Sequence, residues 1–205
     1  TRLAGREAMV AALTRELELQ KHYLPAVPLD TVYFGGGTPS LLSEPELHAL
    51  FGAIHRNFSV NPRAEITLEA NPDDLTTEKL HTLRRLGVNR LSIGIQSFDE
   101  GHLRRLHRLH SAAEGEASVR RAQEVGFENL SIDLIYAIPA TNHRIWETDL
   151  SKATALCVPH LSAYCLTIEP RTVFGNWLKR KKIQPIDEAI AAPQFEMLTS
   201  HLLAH

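Results

Sequence analysis

The run Thr31-Val-Tyr-Phe-Gly-Gly-Gly-Thr-Pro-Ser40 places three consecutive glycines at the end of an apolar stretch. Such a turn lets a backbone approach a ligand closely and offers it unobstructed N–H and C=O groups; Thr38 adds a hydroxyl before Pro39 fixes the exit. It lacks the Lys-Ser/Thr of a phosphate loop and the full dinucleotide fingerprint. A tight strand-to-helix turn without a ligand is the plainer reading. Glu69 and Asp133 lie among Ile, Leu and Ala, where a carboxylate is costly unless paired or hydrogen-bonded. A structural salt bridge would explain either one alone. Further polar groups follow the other apolar runs, namely Asn71-Pro72, Gln96-Ser97, and Tyr164 with Thr167-Ile168-Glu169. Together they form a set of acceptors suited to an amine and ribose hydroxyls. Arg108 could complete it by clamping a carboxylate, although an ordinary surface arginine reads equally well. His102, His107 and His110 lie close together, but nothing in their spacing guarantees a shared face for a metal ion.

These groups need elements to position them. Apolar runs of strand length recur at Thr31 to Phe34, Ala64 to Leu68, Arg90 to Ile95, Leu130 to Ile135 and His160 to Ile168, each preceded by an amphipathic stretch of helical length. Helical crossovers predict a parallel sheet with helices outside it, and in such a sheet ligands sit at the C-terminal strand ends. Ser43 and Glu46 form a capping box with Pro45 in the first turn, and Leu47, Leu50, Phe51, Ile54 and Phe58 share one face. Ser111 and Glu114 offer a second box. Val10, Leu13 and Leu17 form an apolar stripe near the start. Leu80, Leu83 and Leu86 form another that ends at Gly87, and Val119, Ala122 and Val125 lead to Gly126; both glycines read as C-terminal caps. The two stretches after them nearly repeat, as successive strand-helix units would. Periodicity alone leaves a TIM-type barrel and a doubly wound sheet both open. Lys179 to Lys182 reads as a solvated basic loop, and Pro193 to Leu203 as a last helix.

The composition is that of a soluble globular protein, with 205 residues, 43% hydrophobic, 22% charged and a net charge of −2. That charge gives no footprint for nucleic acid or an anionic membrane. No stretch approaches a transmembrane span and the start does not read as a signal peptide, so a cytoplasmic protein is expected. Cys157 and Cys165 fit neither a disulfide framework nor a metal knuckle and read as ordinary buried thiols.

GGGTPSLL at Gly35 to Leu42, LEANP at Leu68 to Pro72, RLSIGIQSF at Arg90 to Phe98, LHRLH at Leu106 to His110, SIDLIYAIP at Ser131 to Pro139 and LSAYCLTIEP at Leu161 to Pro170 occur in an order that resembles one family. It is the radical S-adenosylmethionine (SAM) family, in the group holding oxygen-independent coproporphyrinogen III oxidases and HemW-type haem chaperones. The serine of GGGTPS, the QSF ending, Arg108-x-His110 and LTIEP-x-T-x-F resemble the chaperone branch more than the oxidase. The resemblance implies a partial TIM-type (β/α) barrel holding strands two to six, with the first strand and the C-terminal domain outside the chain. Residues 1–169 would form the core and 170–205 the start of a C-terminal extension. It implies SAM and a [4Fe–4S] cluster as cofactors of the complete protein. Gly36, Gly37 and Thr38, with Glu69, would hold the methionine amino end of SAM, Arg108 its carboxylate, and Gln96 and Asp133 its ribose. Haem, or coproporphyrinogen III, would be the further ligand, and a haem-requiring protein the partner.

Two departures stand out. The usual Tyr-Gly-Leu-Pro-Gly-Gln-Thr reads here as Tyr136-Ala-Ile-Pro-Ala-Thr-Asn142, which puts any close backbone approach there in doubt. The Cys-x-x-x-Cys-x-x-Cys that holds the cluster does not occur in this sequence. The expectation is therefore that this chain alone holds no cluster, has no catalytic residue or metal site of its own, and neither binds SAM properly nor cleaves it. Haem transfer, oxidative decarboxylation of coproporphyrinogen III and a cluster-free barrel serving another small molecule are the three functional readings. A missing first strand would leave an open edge, which makes dimerisation or aggregation an expectation too.

Overall fold

The computed structural model describes residues 5–23, 25–181 and 187–205. Five strands, β1 (Leu29–Phe34), β2 (Val60–Ala70), β3 (Arg90–Gln96), β4 (Asn129–Tyr136) and β5 (His160–Cys165), lie in the order of the sequence and all pair in parallel. A doubly wound sheet reverses its strand order at a switch point; an unbroken order does not, and the sheet is a half-barrel. Helices α1 (Arg6–Leu19), α2 (Glu44–Asn57), α3 (Thr77–Arg85), α4 (Glu100–Arg105), α5 (Ala112–Glu124), α6 (Arg144–Ala155), α7 (Val173–Lys179) and α8 (Glu188–Leu203) accompany the strands, with short 3-10 turns at Pro39–Leu41 and Pro72–Asp74.

The strands alternate. Leu68, Leu91, Ile93, Ile95, Leu130, Ile132 and Leu134 join Leu47, Leu80, Leu83, Val119 and Trp146 in one core between sheet and helices. The other side carries Glu65, Thr67 and Glu69 of β2, Arg90, Ser92 and Gly94 of β3, Asn129, Ser131 and Asp133 of β4, and His160 and Ser162 of β5, in register with one another. A parallel strand covered on both faces reads as a continuous apolar run. Here the concave face is polar, so the period-2 alternation of each strand separates core from lumen.

Most helix boundaries follow the expected chemistry. Ser43 and Glu46 form the reciprocal capping box of α2, and Gly87 and Gly126 end α3 and α5 at φ 96 and 94. Other expectations are corrected. Ser111 caps α5 by accepting the Glu114 N–H at 3.1 Å, but the Glu114 side chain does not return the bond. In α1 only Val10 of the expected stripe is fully buried. Strand β2 is longer than expected at both ends, and Pro62, with no N–H to give, falls where the β1–β2 register is broken. Strand β5 stops at Cys165, because its continuation leads towards Pro170 and α7. The final helix starts earlier than Pro193, capped by Asp187, and contributes Leu198 to the core. Lys179 closes α7 instead of lying in a loop, and Lys182 falls outside the described residues. No described helix is long and apolar enough to cross a membrane.

Candidate functional site

A polar cleft of about 160 Å³ opens at the C-terminal ends of the strands, lined by Gly37, Thr38, Glu69, Asn71, Ser92, Gly94, Gln96, Arg108 and Asp133 among others. Of the seven residues that the resemblance assigns to SAM, all but Gly36 line it, and the Gly36 N–H donates to Glu69 Oε2 at 3.1 Å. Tyr164, Thr167 and Glu169 are not brought to it.

The glycine turn carries Gly36 at φ 69 and Gly37 at φ 52, so two successive residues adopt the left-handed region that glycine enters without steric cost. Gly35 is constrained differently, since a Cβ there would lie 2.7 Å from the Tyr33 ring and 3.0 Å from Glu69 Oε1. Tyr33 donates its hydroxyl to Glu69 Oε1 at 2.9 Å, and partial desolvation together with that bond pushes the phenol up to about 12. Each Glu69 oxygen thus accepts one hydrogen bond and keeps capacity for a donor from a ligand. Ser40, just beyond the turn, donates to Asp74 Oδ2 at 2.6 Å and accepts the Asn71 N–H at 3.3 Å, tying the turn to the loop after β2.

At the end of β3 the Ser97 N–H donates to the Ile95 carbonyl at 2.9 Å, a γ-turn centred on Gln96 at φ 69. A positive φ is rare for a residue with a side chain and concentrates at functional sites. Gln96 folds back over Gly94, whose Cβ would lie 2.8 Å from the Gln96 amide nitrogen. Buried Asp149 of α6 fixes the turn by accepting the Ser97 hydroxyl and the Phe98 N–H, both at 2.7 Å, and burial pushes its carboxyl up to about 6.

Helix α4 brings Arg108 into place. Its end is a Schellman turn, in which the Arg108 N–H donates to the Leu103 carbonyl at 2.9 Å and the His107 N–H to that of Arg104 at 3.1 Å, with His107 at φ 54. The chain reverses and Arg108 enters the cleft, where its one hydrogen bond among the described residues is a long contact of 3.4 Å to Asn71 Oδ1. Burial holds the guanidinium below its usual range while Asp73 and Asp133 oppose the shift; it remains a cation at neutral pH. Asp133 accepts the Ser92 hydroxyl at 3.1 Å, and burial raises its carboxyl although the Ser92 and Ser162 hydroxyls and His160 work the other way.

The three clustered histidines do not converge. His102 is buried in α4, His107 is exposed, and His110 is buried with Nε2 donating to the Ile95 carbonyl at 3.1 Å. Burial depresses His110, so it is neutral at pH 7 and its 3.9 Å approach to Asp73 is not an ion pair. Among the described residues no group of three His, Cys, Asp or Glu side chains is arranged to hold a metal ion.

Sequence reasoning missed Asp149, Tyr33, Ser40 and the structural roles of Ser92 and Gly94. For Gly94 a signal existed, a glycine inside a strand pattern, which often marks a close approach. Asp149 gave none, being an acid on an amphipathic helix.

The cleft's chemistry suits an α-amino acid bearing a ribose. It presents acceptors for an ammonium group at Glu69, a guanidinium for a carboxylate at Arg108, and hydrogen-bonding groups at Gln96 and Asp133. An iron-sulfur cluster finds no such fit in the thiols. Neither thiol is buried as expected: Cys157 is exposed and precedes β5, and half-buried Cys165 ends that strand, whose length is roughly 16 Å.

Comparison with known proteins gives the family. The profile of the Radical SAM superfamily matches residues 7–151. The chain is 38% identical over 178 residues to the heme chaperone HemW of Bacillus subtilis, covering 86% of this chain and 47% of that protein. It is 38% identical over 181 residues to the HemW of Escherichia coli, covering 88% and 47%. The chain therefore spans about half the length of the curated relatives it matches. Among solved structures, coproporphyrinogen III oxidase (HemN) from Escherichia coli, described as a radical SAM enzyme, superposes with a TM-score of 0.81 at 27% identity, covering 98% of this chain and 47% of its own.

Proposed function

The chain belongs to the radical SAM superfamily, and we propose that it is the SAM-binding half-barrel of a HemW-type haem chaperone, a protein that binds haem and passes it to a haem-requiring protein. The observation that carries this reading is the 38% identity to heme chaperones over 86% of the chain, against 27% to the oxidase.

Membership of the superfamily implies SAM and a [4Fe–4S] cluster as cofactors. When bound, SAM and the cluster would together supply the family's radical chemistry. This chain's own residues would do the positioning. Glu69 accepts the ammonium of the methionine end, beside the backbone of Gly36, Gly37 and Thr38. Arg108 pairs with the carboxylate, a charge-assisted contact between planar groups. Gln96 and Asp133 take the ribose hydroxyls, Asp133 as an acceptor whose remaining capacity is set by Ser92. Cys157 before β5 and Cys165 at its far end are only two thiols, with the length of the strand between them, so no step is assigned to them. In this reading residues 170–205 begin the extension that follows the barrel core. The protein acts in the cytoplasm, in keeping with two free thiols.

The superposition with the oxidase supports a second reading, oxidative decarboxylation of coproporphyrinogen III to protoporphyrinogen IX. One experiment separates the two. The protein encoded by the whole gene, with its cluster reconstituted, is incubated anaerobically with SAM and coproporphyrinogen III, and separately with haem and an apo-haemoprotein. Haem uptake and delivery without decarboxylation is expected. Two-fold decarboxylation at enzymatic rates would overturn the chaperone reading.

A further inference from the structure

Two motifs of the family resemblance, LHRLH and LTIEP-x-T-x-F, lie far apart in sequence, and the fold brings His107 of the first to Phe174 of the second. The His107 ring stands 6.1 Å from the Phe174 ring and 5.6 Å from the Trp177 indole, and Phe174 and Trp177 are 5.5 Å apart. The rings meet at tilted angles of 54 to 69 degrees, forming a faceted aromatic surface rather than a closed stack.

Three features set this cluster apart from ordinary packing. First, His107 is exposed, and its ring nitrogens make no hydrogen bond among the described residues, whereas His110 is buried and bonded. Second, it occupies the C′ position of a Schellman turn at φ 54, which glycine fills at lower conformational cost. The histidine therefore carries a backbone cost that glycine would avoid. Third, the aromatic platform is held in place. Thr172 caps α7 by accepting the Gly175 N–H at 3.1 Å, and Gly175 packs so closely on the Glu169–Pro170 backbone that no Cβ would fit. The same helix carries no acidic residue and ends at Lys179, with Arg180 and Lys181 directly after it.

An accessible imidazole, an aromatic face and a basic border match a planar aromatic macrocycle with a coordinating metal at its centre and carboxylates on its edge. We infer that His107, Phe174 and Trp177 form an iron-porphyrin site, with the His107 imidazole as an axial ligand of the iron and the two aromatic side chains against the macrocycle. This inference rests on the haem-handling reading above and names the residues that would carry it. Because Arg108 follows His107 directly, the porphyrin site and the cleft would share the end of α4.

The test titrates the 205-residue chain with haemin and, in parallel, with metal-free protoporphyrin IX, following the Soret band. His107→Gly is the informative variant, since glycine suits the backbone at that position and the thermal midpoint should hold or rise. The expected result is one haemin per wild-type chain and an affinity lower by at least about tenfold in H107G. Free imidazole should restore the wild-type spectrum of that variant. Trp177→Ala should weaken haemin and the metal-free porphyrin alike, whereas H107G should leave the metal-free porphyrin unaffected. Haemin bound by H107G with wild-type affinity and spectrum overturns this site and leaves the chaperone reading standing. Failure of the wild-type chain to bind haemin removes haem handling from this chain, and the site with it.

Discussion

Asp149 never reaches the cleft, yet both of its oxygens hold the backbone and side chain that turn Gln96 into it. Its carboxyl is raised by burial to about 6, with the hydrogen bonds from Ser97 and Phe98 and the nearby Lys152 acting against that shift and Asp99 adding to it. A raised carboxyl gives stability that is fully present below the unfolded value and is lost as pH climbs through the folded one. Comparing wild type with Asp149→Asn, the wild-type advantage should shrink by about 3 kcal/mol between pH 4 and 7 and stay flat above that. Urea titrations across that range check it, and parallel curves for the two proteins would show that Asp149 is not the buried acid described. Gly94→Ala tests the neighbouring contact. The new methyl, 2.8 Å from the Gln96 amide nitrogen, should swing that amide out of place and weaken SAM binding by roughly tenfold. Unchanged affinity would mean that Gln96 does not touch the ligand.

Among the elements, the strand ends were readable and the turns between them were not. Gly35 to Gly37, Glu69, Gln96 and Asp133 announce themselves because polar and glycine residues interrupt apolar strand runs. Arg108 lies on no strand, and its place depends on a Schellman turn built on a histidine rather than a glycine, so no local pattern reveals it. The polar lumen was partly hidden for a similar reason. Short apolar runs draw attention to the core-facing residues, while Arg90, Ser92, Asn129 and His160 between them look like incidental strand positions. The loop after β4 shows the opposite case, a departure from family pattern with a visible structural consequence. Ala137 stands at φ 61, buried, with its N–H donated to Gln194 Oε1 at 2.7 Å. The left-handed backbone survives the loss of glycine because α8 holds it. Ala137→Gly should raise stability by about 0.5–1 kcal/mol, the relieved strain exceeding the added entropy of the unfolded chain. A lower thermal midpoint would show that packing of the methyl matters more. Ser40→Ala, by removing the bridge between the glycine turn and the loop after β2, should cost about 1–2 kcal/mol in the same assay.

At the scale of the molecule, an unbroken parallel strand order leaves a half-barrel whose convex face is a helix-covered core and whose concave face is polar. That division explains how one chain supports both a stable fold and a polar cleft, since the polar residues that line the cleft lie outside the apolar core. Mutations at Glu69, Arg108 and Asp133 should accordingly alter binding much more than folding. In the proposed function the cleft at the strand ends holds the methionine end of SAM. Its most direct test is the dissociation constant of SAM for the whole-gene, cluster-loaded protein, wild type against Arg108→Ala, measured anaerobically. The arrangement predicts an increase of roughly 10- to 100-fold, the loss of one charge-assisted contact; equal constants for the two proteins would contradict it.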